Sequence, residues 1–165
     1  MLAILAYGGL RRAEVVKLDL VDYVPEFGLR RVQSKGGHED TMPLPEAARS
    51  IINAYIAAER SSAGSQEPLF VVRYLDAQKR WRTGRMHDNR VYKIVKRLGK
   101  ASGLSQLHPH AFRHSCGVER LKRTGGNLRA VQGYLRHSDI QTTTLYTHLS
   151  GAELANVASV FDGPK

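Results

Sequence analysis

His110 and Arg113 stand three residues apart in HPHAFRHSCG, a spacing that places both on one helix face near its N-terminal end. Unpaired amides and the positive end of the helix dipole gather there, so the pair suits an anion such as a phosphate. His137, in LRHSDIQ, sits just before a capping pattern at Ser138 to Gln141, at the start of another helix. Arg11 follows a glycine break in GGLRRAE, with Glu14 one turn later to orient or neutralise it. Lys35, in SKGG, falls at a hairpin tip, where a flexible amine can swing over a substrate. Tyr146, in TTTLYTHLS, is a nucleophile only if something lowers its pKa, because an unperturbed phenol titrates near about 10. Taken singly, each has an ordinary reading. Arg11 reads as a surface arginine, Lys35 as a turn lysine, His137 as a helix cap and Tyr146 as packing.

The elements that must position these residues follow from periodicity and punctuation. The opening MLAILAYGGLRRAEVVKL reads as an apolar helix broken at Gly8-Gly9 and resumed from about Arg12 to Leu18. Short runs between residues 21 and 45, separated by Pro25, Gly28 and SKGGHED, read as a small antiparallel sheet of two or three strands. A helix over about Pro45 to Arg60 carries Ile51, Ile52, Tyr55 and Ile56 on one stripe. LFVV fits a short strand or an extended segment, and YLDAQKRWRTGR is ambiguous. His87 to Ala101 is a helix with Val91, Ile94, Val95 and Leu98 on its inner face. A helix with Pro109 at its first position stops at Gly125-Gly126, and Asn127 caps the next, which carries Leu128, Val131 and Leu135. Further short helices are predicted directly after His137 and over about 151 to 161. The expected class is α+β, mainly α with one small sheet, in a single domain.

Charge narrows the partner. With 25 Lys and Arg against 15 Asp and Glu, the chain carries +10, which favours a polyanion. Nine of the basic residues lie between Lys79 and Lys100, against one acid, Asp88. Arg80, Arg82, Arg85, Arg90, Lys93, Lys96 and Arg97 are therefore expected to contact nucleic-acid phosphates, although a solvated helix face is the plain alternative. No segment approaches the apolar run of roughly 20 residues that spans a bilayer, so no membrane association is expected. The lone Cys116 is expected to be buried and apolar, and a cytoplasmic setting is expected from the absence of paired cysteines and of a signal-peptide pattern.

The order of the chemical residues carries more than any one of them. An arginine, a hairpin lysine, His-x-x-Arg, a second histidine and a tyrosine nine residues later resembles the tyrosine recombinase family, the phage-integrase and Xer-type site-specific recombinases. GGLRRAEVVKL, SKGGHEDTMPL, HPHAFRHSCG and LRHSDIQTTTLYTH match that family's four boxes across residues 1 to 150. Arg136 stands where the family usually has glycine before the second histidine, and Ser34 where it has glycine before the lysine.

The resemblance implies the family's catalytic, DNA breaking-rejoining fold for residues 1 to 165, with residues 151 to 165 a C-terminal tail helix and the N-terminal core-binding domain outside this chain. By the same resemblance Arg11 and Arg113 hold the scissile phosphate, Lys35, His110 and His137 are catalytic, Tyr146 is the nucleophile, and Glu14 supports Arg11. It further implies a 3′-phosphotyrosyl intermediate, double-stranded DNA as partner and a homotetramer on DNA, with no metal, ATP or other cofactor. Two other readings stay open. One is a metal-dependent nuclease built on His110 and His114, with His108, His137 and His148 as further ligands, although no acid lies within residues 103 to 118. The other is a DNA-binding module without catalysis.

Overall fold

The apolar opening turns back on itself at a glycine. In the computed structural model of the chain, which describes residues 1–33 and 39–136, a π-helical turn over Ile4–Gly8 ends at Gly9 with φ of 62°. A Cβ at Gly9 would lie 2.7 Å from Leu135 Cδ2, so both the left-handed backbone and the close approach favour glycine. Helix α1 (Arg12–Lys17) resumes after the break, as expected, and buries Glu14 and Val15.

Strands β1 (Tyr23–Val24), β2 (Gly28–Gln33) and β3 (Glu39–Pro43) form the predicted antiparallel sheet in the order β1-β2-β3. Leu29 and Val32 are both fully buried although they are three apart, which a regular strand would send to opposite faces. A register shift between them, where Leu29 pairs with Met42 and Val32 with Asp40, re-aims Val32 into the core. Helix α2 (Glu46–Glu59) lays Ala48 and Ile52 on this core, with Tyr55 and Ile56 packed alongside. Ile51, expected on the same stripe, is instead 54% exposed. The helix is tied to the sheet from below: Tyr23 Oη lies 2.8 Å from Asn53 Oδ1, and Arg49 Nη1 donates to the Glu26 carbonyl at 2.6 Å.

The ambiguous stretch after residue 70 is a second, two-stranded sheet, an antiparallel hairpin of β4 (Val71–Leu75) and β5 (Trp81–Arg85). Its tip is built without glycine. Asp76 Oδ1 accepts from the Gln78 and Arg80 amides, each at 2.9 Å, while Lys79 adopts φ of 57°. Its base is latched to the end of α1, because Arg85 donates to the Val16 carbonyl and pairs with Asp19.

Helix α3 (Asp88–Ala101) buries Val91 and Val95 against the main core. Helix α4 (Pro109–Arg123) starts at Pro109, where a missing N–H costs nothing, and helix α5 (Leu128–Leu135) is capped by Asn127 Oδ1 accepting from the Ala130 amide at 3.0 Å. Cys116 is buried with Val131 and Leu135 in a small cluster between α4 and α5, as expected of it. The helices predicted after His137 and over 151 to 161 lie outside the described residues. Among those described, no helix is long and apolar enough to cross a membrane.

Candidate active site

Arg11 is the residue that opens α1, in extended backbone at φ −72° and ψ 150°. Its side chain is half exposed, and the acid that holds it is not: Glu14 is 5% exposed. Glu14 Oε2 accepts from the Arg11 amide at 2.8 Å, and Oε1 accepts from Arg11 Nη1 at 2.9 Å. Glu14 thus bonds Arg11 twice, at the backbone that starts the helix and at the guanidinium. A second arginine reaches the same carboxylate, since Arg136 Nη2 donates to Glu14 Oε2 at 2.8 Å.

Arg113 lies on α4 and is 1% exposed, among the largest fully buried side chains of the described residues. Its guanidinium donates through Nη1 to the Gly9 carbonyl at 2.6 Å and through Nη2 to the Leu135 carbonyl. These bonds explain why a charge is tolerated there: both carbonyls sit at interrupted chain ends, after the π-helical turn and at the last residue of α5, where no helical partner is available. A guanidinium carries five N–H donors, so anchoring to carbonyls and binding an anion are compatible.

Arg11, His110 and Arg113 line one cleft of about 510 Å³, together with Arg12, Lys96, His108, Tyr92 and Gln106. Four cationic side chains and two histidines therefore face one space, and among the described residues no carboxylate lines it. The pKa of His110 is lowered from its ordinary value, first by burial and then by the positive charge of Arg113, with His108, Arg11 and His114 adding to it. At neutral pH it is a neutral imidazole, able to take a proton. Because the folded state disfavours the charged form, acidification below the ordinary histidine range costs folding stability, and that cost vanishes above it. We expect an NMR titration of His110 in the unliganded chain to show a midpoint below about 6.5. Inorganic phosphate in the cleft should raise that midpoint by offsetting Arg113 and Arg11; a midpoint that ignores phosphate would remove His110 from the anion site.

Lys35, His137 and Tyr146 lie outside the described residues. Strands β2 and β3, which flank Lys35 in sequence, are in place and paired as far as Gln33 with Glu39. The seven basic residues expected on DNA fall into separate environments. Arg80 and Arg82 both pair with Asp76 on the hairpin, at 3.1 and 2.9 Å. Arg85 is engaged with Val16, Leu18 and Asp19, and Lys96 donates to the Ser105 carbonyl at the rim of the cleft. Arg90, Lys93 and Arg97 gather around one shallow depression on α3. Among the described residues no group of three or more His, Cys, Asp or Glu is arranged to hold a metal ion. The sequence reading missed Tyr92 and the carboxylate partner role of Arg136; Tyr92 precedes Lys96 by four, which alone places both on one helix face.

The domain is mainly helical with two small antiparallel sheets, and a buried and a half-exposed arginine meet two histidines in a cleft with no carboxylate among its described lining residues. Residues 1–153 match the phage integrase family, and the chain belongs to that family. It is 36% identical over 155 residues to tyrosine recombinase XerC of Pseudomonas aeruginosa, covering 93% of this chain and 47% of that protein. It is 33% identical over 165 residues to tyrosine recombinase XerD of Staphylococcus epidermidis, covering 98% of this chain and 53% of that protein. The chain thus spans about half the length of the curated relatives it matches. Among solved structures, XerA recombinase superposes with a TM-score of 0.72 at 24% identity, over 99% of this chain and 57% of that one. XerH site-specific recombinase, in a post-cleavage complex with palindromic difH substrate, superposes with 0.69 at 21% identity, over 97% and 44%. These likenesses show the shared fold.

Proposed function

We propose that this chain is the catalytic domain of a tyrosine-type site-specific recombinase, cleaving and rejoining double-stranded DNA through a 3′-phosphotyrosyl link without metal or ATP. The observation that carries the reading is the cleft, where Arg11 and Arg113 meet His110 with no carboxylate among the described lining residues. Planar guanidiniums suit a phosphate better than ammonium groups do, and they stabilise the charge of the pentacoordinate transition state.

In the proposed step Tyr146 Oη attacks the scissile phosphorus, the bond from phosphorus to the 5′-oxygen breaks, and the departing oxygen leaves as a 5′-hydroxyl. The tyrosyl proton passes towards His110, Lys35 protonates the leaving oxygen, and His137 donates a hydrogen bond to the phosphate. The field of the arginines favours phenolate, which supplies the activation that a free phenol lacks. The ester conserves the bond, so a second 5′-hydroxyl can reverse the step. The exposed cations of α3, Arg90, Lys93 and Arg97, would contact flanking phosphates. A homotetramer on DNA in a cytoplasmic setting fits the same reading, with residues 1 to 165 the catalytic domain and the tail helix of residues 151 to 165 coupling neighbouring protomers.

The test is a nicked duplex that traps cleavage. A protein–DNA adduct that survives denaturation and forms equally well in EDTA is expected. Cleavage abolished by EDTA with no adduct would replace the reading with the metal-dependent nuclease.

A further inference from the structure

We propose that Arg136 is a positioning residue for strand cleavage, acting on Arg11 through Glu14; this rests on the recombinase reading above. Arg136 ends α5 in left-handed backbone, φ 54° and ψ 44°, a conformation that side chains other than glycine rarely adopt. The position is one where glycine would meet the backbone demand without strain. What arginine adds there is a guanidinium, and its side chain is 7% exposed.

That guanidinium meets three residues on two elements. Nη2 donates to Glu14 Oε2 on α1 at 2.8 Å, Nη1 lies 3.7 Å from Met42 Sδ on β3, and Nε lies 3.8 Å from Asp40 Oδ2 on β3. Asp40 is more distant and its side chain 39% exposed, so Glu14 is the dominant partner. A strained backbone residue persists where its surroundings over-determine it, and such residues gather at functional sites.

The target of the contact is the carboxylate that sets Arg11. The terminal torsion of a glutamate is broad, so a carboxylate bonded only from one side can turn. Arg11 holds Glu14 from the cleft side, through its amide and Nη1, and Arg136 holds it from the side of α5 and β3. With both in place the carboxylate plane is fixed, and with it the direction of the Arg11 guanidinium into the cleft. Arg136 also draws on the same negative charge, so that Glu14 neutralises Arg11 less completely. Arg136 is not among the residues lining the cleft, which makes this an indirect action.

The experiment uses the full chain on the nicked duplex. Arg136→Gly should lower the cleavage rate at saturating DNA by about tenfold, while the half-saturating DNA concentration moves by less than about twofold. Arg136→Lys, which keeps the charge, should recover part of that loss. On a Glu14→Gln background the added Arg136→Gly should cost less than about twofold, because the path it acts through is already cut. The Arg11 amide, bonded to Glu14, should exchange its hydrogen at least about fivefold faster in Arg136→Gly, with the amides of α2 unchanged. A cleavage rate within twofold of the parent, or an equal loss on the Glu14→Gln background, would overturn the proposal. If the parent chain forms no adduct, the recombinase reading falls and the Arg11 exchange rate decides alone: acceleration upholds the positioning of Arg11 by Arg136, and an unchanged rate overturns it.

Discussion

Arg113→Ala is expected to lose both the fold's margin and the chemistry, the largest double effect of any single change in the described residues. The side chain is almost fully buried, and it is the donor to the Gly9 and Leu135 carbonyls. Removing it strands two buried acceptors and leaves a cavity, and hydrogen bonds from charged donors contribute about 1.5–3 kcal/mol each, so a loss of about 3 kcal/mol or more is expected. Urea unfolding monitored by circular dichroism measures it, with an unchanged midpoint as the contrary result. Arg113→Lys separates the two roles. A single ammonium keeps the charge but cannot span two carbonyls and present a planar face to a phosphate. At a temperature where the variant is folded, the rate of adduct formation should drop by about a hundredfold or more, the order seen when one preorganised donor to a developing oxyanion is removed. A Lys variant that is folded and cleaves at the parent rate would place Arg113 in the scaffold alone.

Tyr146→Phe should abolish the covalent adduct and leave DNA binding intact. The change removes one oxygen, the atom proposed to attack phosphorus, and retains the aromatic ring. The proposed binding rests on phosphate contacts by cations, and this substitution removes no cation, so the affinity in a filter or gel-shift titration should stay within about twofold and keep its dependence on salt. Adduct on a nicked duplex should fall below detection. An undiminished yield would mean that another residue attacks, and that the ordered pattern from Arg11 to Tyr146 describes ancestry without describing chemistry in this chain.

How far these results were legible in the sequence depended on how locally each was encoded. Helices α3, α4 and α5 were readable because apolar spacing, Pro109 and Asn127 are signals within a few residues of one another. The three-stranded sheet was readable from its glycine and proline punctuation. The β4–β5 hairpin was not, because its turn uses Asp76 as an acceptor for two amides and Lys79 at positive φ, where glycine or asparagine would have marked it. Its strands are largely exposed, with Trp81 at 71%, so no alternation of apolar and polar residues betrayed them. In the site, Arg11 with Glu14 and His110 with Arg113 are each one helical turn apart, and that spacing carried the reading. Composition could give the sign of the charge between residues 79 and 100 but not its engagement: Arg85 turned out to hold the end of α1. The contact of Arg136 with Glu14 joins residues 122 apart, and the local sequence there shows only an arginine in a glycine's place.

The bonds around the cleft close on themselves. Starting at Arg11, the path runs to Glu14, across to Arg136, one residue back to the Leu135 carbonyl, through the guanidinium of Arg113 to the Gly9 carbonyl, and two residues along the chain to Arg11 again. A closed circuit of constraints differs from a chain of them in its tolerance to damage. Cutting a chain anywhere frees its end, whereas cutting a ring once still leaves every member tethered from the other direction. The two arginines proposed to grip the phosphate are therefore not two separately mounted parts but stations on one hoop. Their spacing is a property of its circumference, and a disturbance at either is shared by both.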